Sequence, residues 1–262
     1  MPMIDVEDCR LHYRFDGPEG APVLLLSNSL GTTSEMWRPQ LAALAEEFRV
    51  LRYDSRGHGR SAVTPGPYSV ERLGRDALGL LDALSVGHAH VCGLSLGGMV
   101  GQWLAINAPA RVDRLALCNT AAFMGGDPAV WAQRIAAVEQ GGMAAVVPGV
   151  VDRWLTKPFQ EREPAATTEV RDMLLAADPR GYAATAAAVR DMDLRAGLAR
   201  ITAPTLVVAG RHDAATPPEA AQAIADAIPG ARLKLLDTAH LSNVEAAEAF
   251  TAAVMEFLTA RR

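Results

Sequence analysis

Ala89-His-Val-Cys-Gly-Leu-Ser-Leu-Gly-Gly-Met-Val-Gly-Gln-Trp103 is the stretch that decides how the chain reads. The apolar run Ala89 to Cys92 has strand character, and a helical stretch follows towards Asn107-Ala108-Pro109. Between them, Gly93-Leu-Ser-Leu-Gly97 matches Gly-x-Ser-x-Gly, the pattern of a nucleophile elbow. In such a turn the serine takes a strained backbone conformation. Glycines two positions either side lack the Cβ atoms that would strike the neighbouring strand and helix. The turn lifts the Ser95 hydroxyl above a sheet and leaves the Leu96 N–H at a helix N-terminus, where it can stabilise an oxyanion. Average glycine usage alone produces this five-residue pattern in about one chain in ten of this length. The rest of the chain must therefore supply a base and an acid.

With 262 residues, the chain has room for one large domain carrying an insertion. Half of it is apolar and its net charge is −5, a globular composition with no electrostatic sign of a nucleic-acid or membrane-surface partner. Apolar runs such as Val23 to Leu26 are too short to cross a bilayer. The acidic start, Met-Pro-Met-Ile-Asp-Val-Glu-Asp, lacks the basic-then-apolar order of a signal peptide. Cys9, Cys92 and Cys118 show no CxxC spacing and read as reduced core residues of a cytoplasmic protein, with no metal site.

Outward from the elbow, strands and helices alternate. Two short strands fall within residues 3 to 15, and a turn over 16 to 21 precedes the apolar strand Pro22 to Ser27. The polar loop Asn28-Ser-Leu-Gly-Thr-Thr33 leads to a helix from about Ser34 to Glu47 and a strand Arg49 to Tyr53. After the glycine-rich loop Asp54 to Ser61, an amphipathic helix spans Tyr68 to Leu84, and a strand spans Val112 to Cys118 beyond the elbow helix. Alternation then stops. Residues 125 to 197 are alanine-rich, and Asp127-Pro128, Glu163-Pro164 and Asp178-Pro179 place an acidic residue before a proline as at helix starts. Four or five inserted helices are expected, with Pro148 kinking or dividing one. The pattern resumes with strand Thr205 to Ala209, helix Pro217 to Ala227, strand Arg232 to Leu236 and helix Ser242 to Ala260. This is a mostly parallel, doubly wound sheet of about eight strands. Such sheets bind ligands at the carboxyl ends of their strands.

A serine hydroxyl is a weak nucleophile that needs a base, and the base needs an orienting group. Of six histidines, His88 and His90 flank the wrong end of the elbow strand, His12 lies on an early strand and His58 in the glycine loop. His240, four residues past Leu236, leaves the carboxyl edge and can reach over the sheet to Ser95. Asp213, three residues beyond Gly210, also follows a strand end. It is the expected acid, with Asp237 an alternative that reads as a turn former. The second oxyanion donor is expected from the loop Ser27 to Gly31, at the N–H of Leu30. The glycine loop reads as scaffold, with Arg56 and His58 making structural hydrogen bonds.

Asp54-Ser-Arg-Gly-His-Gly-Arg-Ser61, Gly93-Leu-Ser-Leu-Gly97, Gly210-Arg-His-Asp213 and Ala239-His-Leu-Ser-Asn-Val-Glu245 together resemble the α/β-hydrolase superfamily across the whole chain. The order Ser95, Asp213, His240 is that superfamily's order of nucleophile, acid and base. Within it, Leu26-Ser-Asn-Ser-Leu-Gly-Thr32 and His240-Leu-Ser-Asn-Val-Glu245 are similar to the 3-oxoadipate enol-lactonases of bacterial aromatic catabolism. Asn28-Ser29 stands where many members have His-Gly, a departure shared with the enol-lactonases. The resemblance implies a cytoplasmic enzyme without cofactor: a hydrolase core over residues 1–124 and 198–262, and a helical cap over 125–197.

The expected reaction is opening of an enol-lactone through an acyl-enzyme on Ser95. Its carboxylate arm calls for a cation in the cap. Trp131 and Arg134, three apart on one helix, can face the same side. Arg134 would pair with the carboxylate, while Trp131 and Trp154 would pack on the ring. A carboxylesterase or cofactor-free haloperoxidase would use the same three residues, and a ligand-binding receptor of this fold can retain them. A small carboxylated lactone or ester is the expected partner, and the oligomeric state is left open.

Overall fold

A computed structural model describes residues 2–125 and 127–260. Eight strands form one sheet: β1 (Met3–Val6), β2 (Cys9–Asp16), β3 (Val23–Ser27), β4 (Arg49–Tyr53), β5 (Ala89–Leu94), β6 (Val112–Cys118), β7 (Thr205–Gly210) and β8 (Arg232–Leu236). Their spatial order is β1-β2-β4-β3-β5-β6-β7-β8. The β1–β2 and β2–β4 pairs are antiparallel, and every later pair is parallel. The central strands are continuous apolar runs because helices cover both faces, and Leu24, Leu25, Leu26, Val91, Leu115 and Val207 are all fully buried.

The covering helices are α1 (Arg38–Glu47), α2 (Val70–Ala83), α3 (Leu96–Asn107), α9 (Pro218–Ala227), α10 (Ser242–Glu245) and α11 (Ala247–Thr259). Several elements differ from the sequence reading, three of them in the form of a helix. The helix expected from Ser34 opens as a 3₁₀ turn over Ser34–Trp37 before α1 begins. The helix expected from Tyr68 begins at Val70, where the Ser69 hydroxyl accepts from the Arg72 N–H. The single helix expected over Ser242 to Ala260 is broken at Ala246, which leaves helical geometry at φ −130° and ψ 56°.

Between β6 and β7 run α4 (Pro128–Gly141), α5 (Val147–Trp154), α6 (Lys157–Arg162), α7 (Pro164–Leu175) and α8 (Pro179–Asp191). Each carries proline in its first two positions, where the missing N–H is not needed. The carboxylates of Asp127 and Asp178 accept first-turn N–H groups of α4 and α8. Pro148 falls inside the first turn of α5 and so opens a helix, separated from α4 by a short 3₁₀ turn.

Candidate active site

The elbow turn is as strained as its sequence demands. Ser95 sits at φ 58° and ψ −116°, between the end of β5 and the start of α3. A Cβ on Gly93 would lie 2.1 Å from the Gly97 carbonyl oxygen, and one on Gly97 would lie 1.9 Å from the Ser27 carbonyl oxygen. Only glycine allows the turn to close on itself and α3 to come down on β3. The Ser95 N–H donates to the Cys118 carbonyl at 2.8 Å, locking the turn to β6. The serine side is left open to a cavity of about 570 Å³, which Leu30, Trp154 and His240 also line.

Loops from the ends of β7 and β8 deliver the other two residues. A Cβ on Gly210 would stand 2.1 Å from the Ala239 carbonyl oxygen, so this glycine lets the two loops cross in backbone contact. That crossing sets Asp213 beneath His240, with Nδ1 2.8 Å from Asp213 Oδ2 and both side chains buried. Asp213 Oδ1 accepts the N–H groups of Ala215 (2.8 Å) and Thr216 (2.9 Å). Its Oδ2 also accepts from the Thr216 hydroxyl at 2.8 Å and from Asn119 Nδ2 at 3.1 Å. Burial pushes this carboxyl upward. The charge and hydrogen bond of His240, with the donors of Thr216 and Asn119, outweigh it and hold the group below the usual carboxylate value. An ionised Asp213 can only accept, so it holds a proton on His240 Nδ1 and leaves Nε2 as the atom a base would use.

The remaining histidines are spoken for elsewhere. Asp237 pairs with His212 at 2.8 Å on the surface and not with His240. His88 pairs with Asp113 at 2.5 Å, and His12 pairs with Asp54 at 3.1 Å.

Leu30 lines the same cavity as Ser95, and Leu96 follows Ser95 directly in the chain. Leu96 is the first residue of α3, so its N–H has no intrahelical acceptor. On either side of Leu30 the backbone donors are committed, Ser29 to Met36 Sδ at 3.3 Å and Gly31 to His58 Nε2 at 2.9 Å. The Leu30 N–H has no acceptor among the described residues. Asn28, at the departure from His-Gly, holds this loop. Its Nδ2 donates to the Tyr53 carbonyl at 2.7 Å, and its Oδ1 accepts from Trp37 Nε1 at 2.9 Å.

From the far side, α4 and α5 present Trp131, Arg134, Arg153 and Trp154 to the cavity. The Trp154 ring lies 5.4 Å from that of His240 and covers it. The Arg134 guanidinium stands 5.0 Å from the Trp131 ring and 5.5 Å from that of Tyr182, whose hydroxyl it also contacts. Its Nε is buried without a hydrogen-bond partner among the described residues. Burial, then the charge of Arg134, lowers the value of Arg153. Neither arginine has a carboxylate within ion-pair distance among the described residues.

The sequence reading omitted three of these groups. Thr216, three residues past Asp213, has the spacing of a side-chain-to-backbone turn and was open to detection. Asn119 directly follows a strand end, in a left-handed conformation at φ 44°. Arg153 reaches the cavity only because α5 folds over it, and no local pattern announces that.

Fold and site together define a class: the chain belongs to the α/β-hydrolase fold family, a model of which matches residues 22–247. It is 37% identical over 251 residues to the 3-oxoadipate enol-lactonase 2 of Acinetobacter baylyi, covering 96% of this chain and 94% of the relative. The enol-lactonase from Burkholderia xenovorans LB400 superposes with a TM-score of 0.97 at 46% identity, covering 99% of this chain and 100% of that one. A hydrolase from Pseudomonas aeruginosa PA01 superposes at 0.95 with 51% identity, covering 99% and 98%.

Proposed function

We propose that this chain is a carboxylic ester hydrolase that opens 3-oxoadipate enol-lactone to 3-oxoadipate through an acyl-enzyme on Ser95. One observation carries the reading. The Ser95 turn and the Asp213–His240 pair open on a cavity that holds two guanidiniums without carboxylate partners. Likeness over the whole chain to enol-lactonases supports it. Ser95 attacks the ring carbonyl while His240 Nε2 takes its proton. The Leu30 and Leu96 N–H groups hold the oxyanion, each contributing about 3 kcal/mol. The bond from the carbonyl carbon to the enol oxygen breaks as His240 returns the proton to that oxygen, and the released enol tautomerises to a ketone. Water, deprotonated by His240, then attacks the acyl carbon, and the bond to Ser95 Oγ breaks as His240 returns the proton to Oγ, which frees the new carboxylate. Helices α4 to α8 act as the cap, with Arg134 on the substrate carboxylate and Trp131 and Trp154 against the ring. Three buried free thiols fit work in the cytoplasm.

The test follows loss of enol-lactone ultraviolet absorbance with purified protein, beside a panel of simple esters and acetate-dependent bromination. The lactone should be turned over fastest, and Ser95→Ala should lose about a millionfold in kcat while remaining folded. Faster turnover of p-nitrophenyl esters than of lactone would replace this reading with a carboxylesterase. Lactone binding without any turnover would replace it with a receptor.

A further inference from the structure

The glycine loop that follows β4 reaches the proposed oxyanion loop through the side chain of His58. His58 is buried, 2% exposed, and its ring bridges two backbone groups. Nδ1 lies 3.1 Å from the Arg56 carbonyl oxygen, and Nε2 accepts the Gly31 N–H at 2.9 Å. A carbonyl can only accept and a backbone N–H can only donate, so these partners force one tautomer. Nδ1 carries the proton and Nε2 carries the lone pair. An imidazolium would set an N–H against the Gly31 N–H. The carbonyl that orients the ring is itself anchored, because the Arg56 guanidinium makes a fork of hydrogen bonds to Asp76 at 2.7 and 2.6 Å. A continuous chain of contacts thus runs from Asp76 through Arg56 and His58 to Gly31, the residue after Leu30.

We propose that His58 is a positioning residue: by accepting the Gly31 N–H it aims the preceding Leu30 N–H at the oxyanion formed on the Ser95 acyl carbonyl. This rests on the reading of Ser95 as nucleophile and Leu30 as oxyanion donor. An oxyanion donor works only when held where the charge will develop. A displacement of about 1 Å can cost about a hundredfold in rate. Asn28 anchors the start of the loop, and the acceptor at His58 adds the constraint on the residue next to Leu30. The effect belongs to the transition state, so kcat should respond and KM should not.

Four variants assayed on p-nitrophenyl acetate decide it, since that substrate reports acylation whichever lactone the enzyme takes. Ser95→Ala is the control, and its full activity would fell the nucleophile reading itself. With Ser95→Ala inactive, His58→Leu and His58→Asn should each lower kcat by about 10- to 100-fold, with KM within about threefold. Asn reaches the Nδ1 position only. His58→Gln carries an amide oxygen near the Nε2 position and should restore kcat to within about threefold of the parent. The comparison of Gln with Asn stands even where His58→Leu does not fold. Parental kcat in His58→Asn overturns the proposal. So does a kcat that tracks melting temperature across the variants with no rescue by Gln, the result expected of a merely structural histidine.

Discussion

The triad proposed from Ser95, Asp213 and His240 requires that the imidazole keep its Nδ1 proton pointed at an ionised carboxylate. Asp213→Asn preserves shape and places an amide where the charge stood. It should lower kcat by about 10⁴-fold, and because both oxygens now accept buried donors the new NH2 should also lower the melting temperature, as steady-state kinetics beside a thermal scan will show. Arg134 carries a different kind of contribution. Its head group is fixed by Tyr182 and Trp131 before any ligand arrives, so it offers a charge at low ordering cost. Arg134→Ala should raise KM for a carboxylated lactone by about tenfold, leave kcat within about twofold, and spare p-nitrophenyl acetate. An unchanged KM would remove Arg134 from substrate recognition.

How the elements meet decides whether these side chains arrive together. The Gly97 backbone touches that of Ser27, which brings the first turn of α3 and the loop after β3 to the same spot. Gly97→Ala forces the two backbones apart and should cost about 3 kcal/mol, roughly 6–12 °C in melting temperature. A second junction lies at Glu245 in α10. Its carboxylate accepts the Ala239 N–H at 3.0 Å and the Thr156 N–H at 3.3 Å, and contacts the Thr156 hydroxyl. The Leu241 N–H donates to the Trp154 carbonyl at 3.0 Å. Glu245 therefore binds the His240 loop and the start of α6 into one unit. Glu245→Gln retains the shape but turns one acceptor into a donor. In steady-state kinetics and a thermal scan it should lower kcat and cost about 1.5–3 kcal/mol of stability.

Across the molecule, two buried groups at the candidate site contribute to the acid side of stability. Burial lowers the His58 value below 6.5, against the pull of the Arg56 carbonyl and of the Asp54 charge. The folded protein keeps this ring neutral while an unfolded chain protonates it. Its contribution is therefore complete above pH 6.5 and is lost as pH falls through the lowered folded value. The folded value of Asp213 lies below 3.8, so its contribution is present above 3.8 and is lost only at more acidic pH. Thermal scans should show the parent losing stability as pH falls below 6.5, and His58→Gln should show a flatter decline over the same window. Equal slopes would mean that His58 is not held neutral.

Much of this is legible in the amino-acid sequence itself. The alternation of apolar runs with helical periodicity depends on burial of both sheet faces, a property local to each segment. Glycines at 93 and 97 announce a turn too tight for any Cβ. The order of serine, aspartate and histidine at strand ends follows from where a parallel sheet delivers its loops. Folding in three dimensions settled other matters. Asp213 rather than Asp237 lies under His240, because Gly210 lets two distant loops cross. Arg153 meets Arg134 because α5 and α4 share a cavity wall, and His58 meets Gly31 across 27 residues of chain. Each of these joins groups far apart in sequence, and no local pattern of residues encodes such a distance.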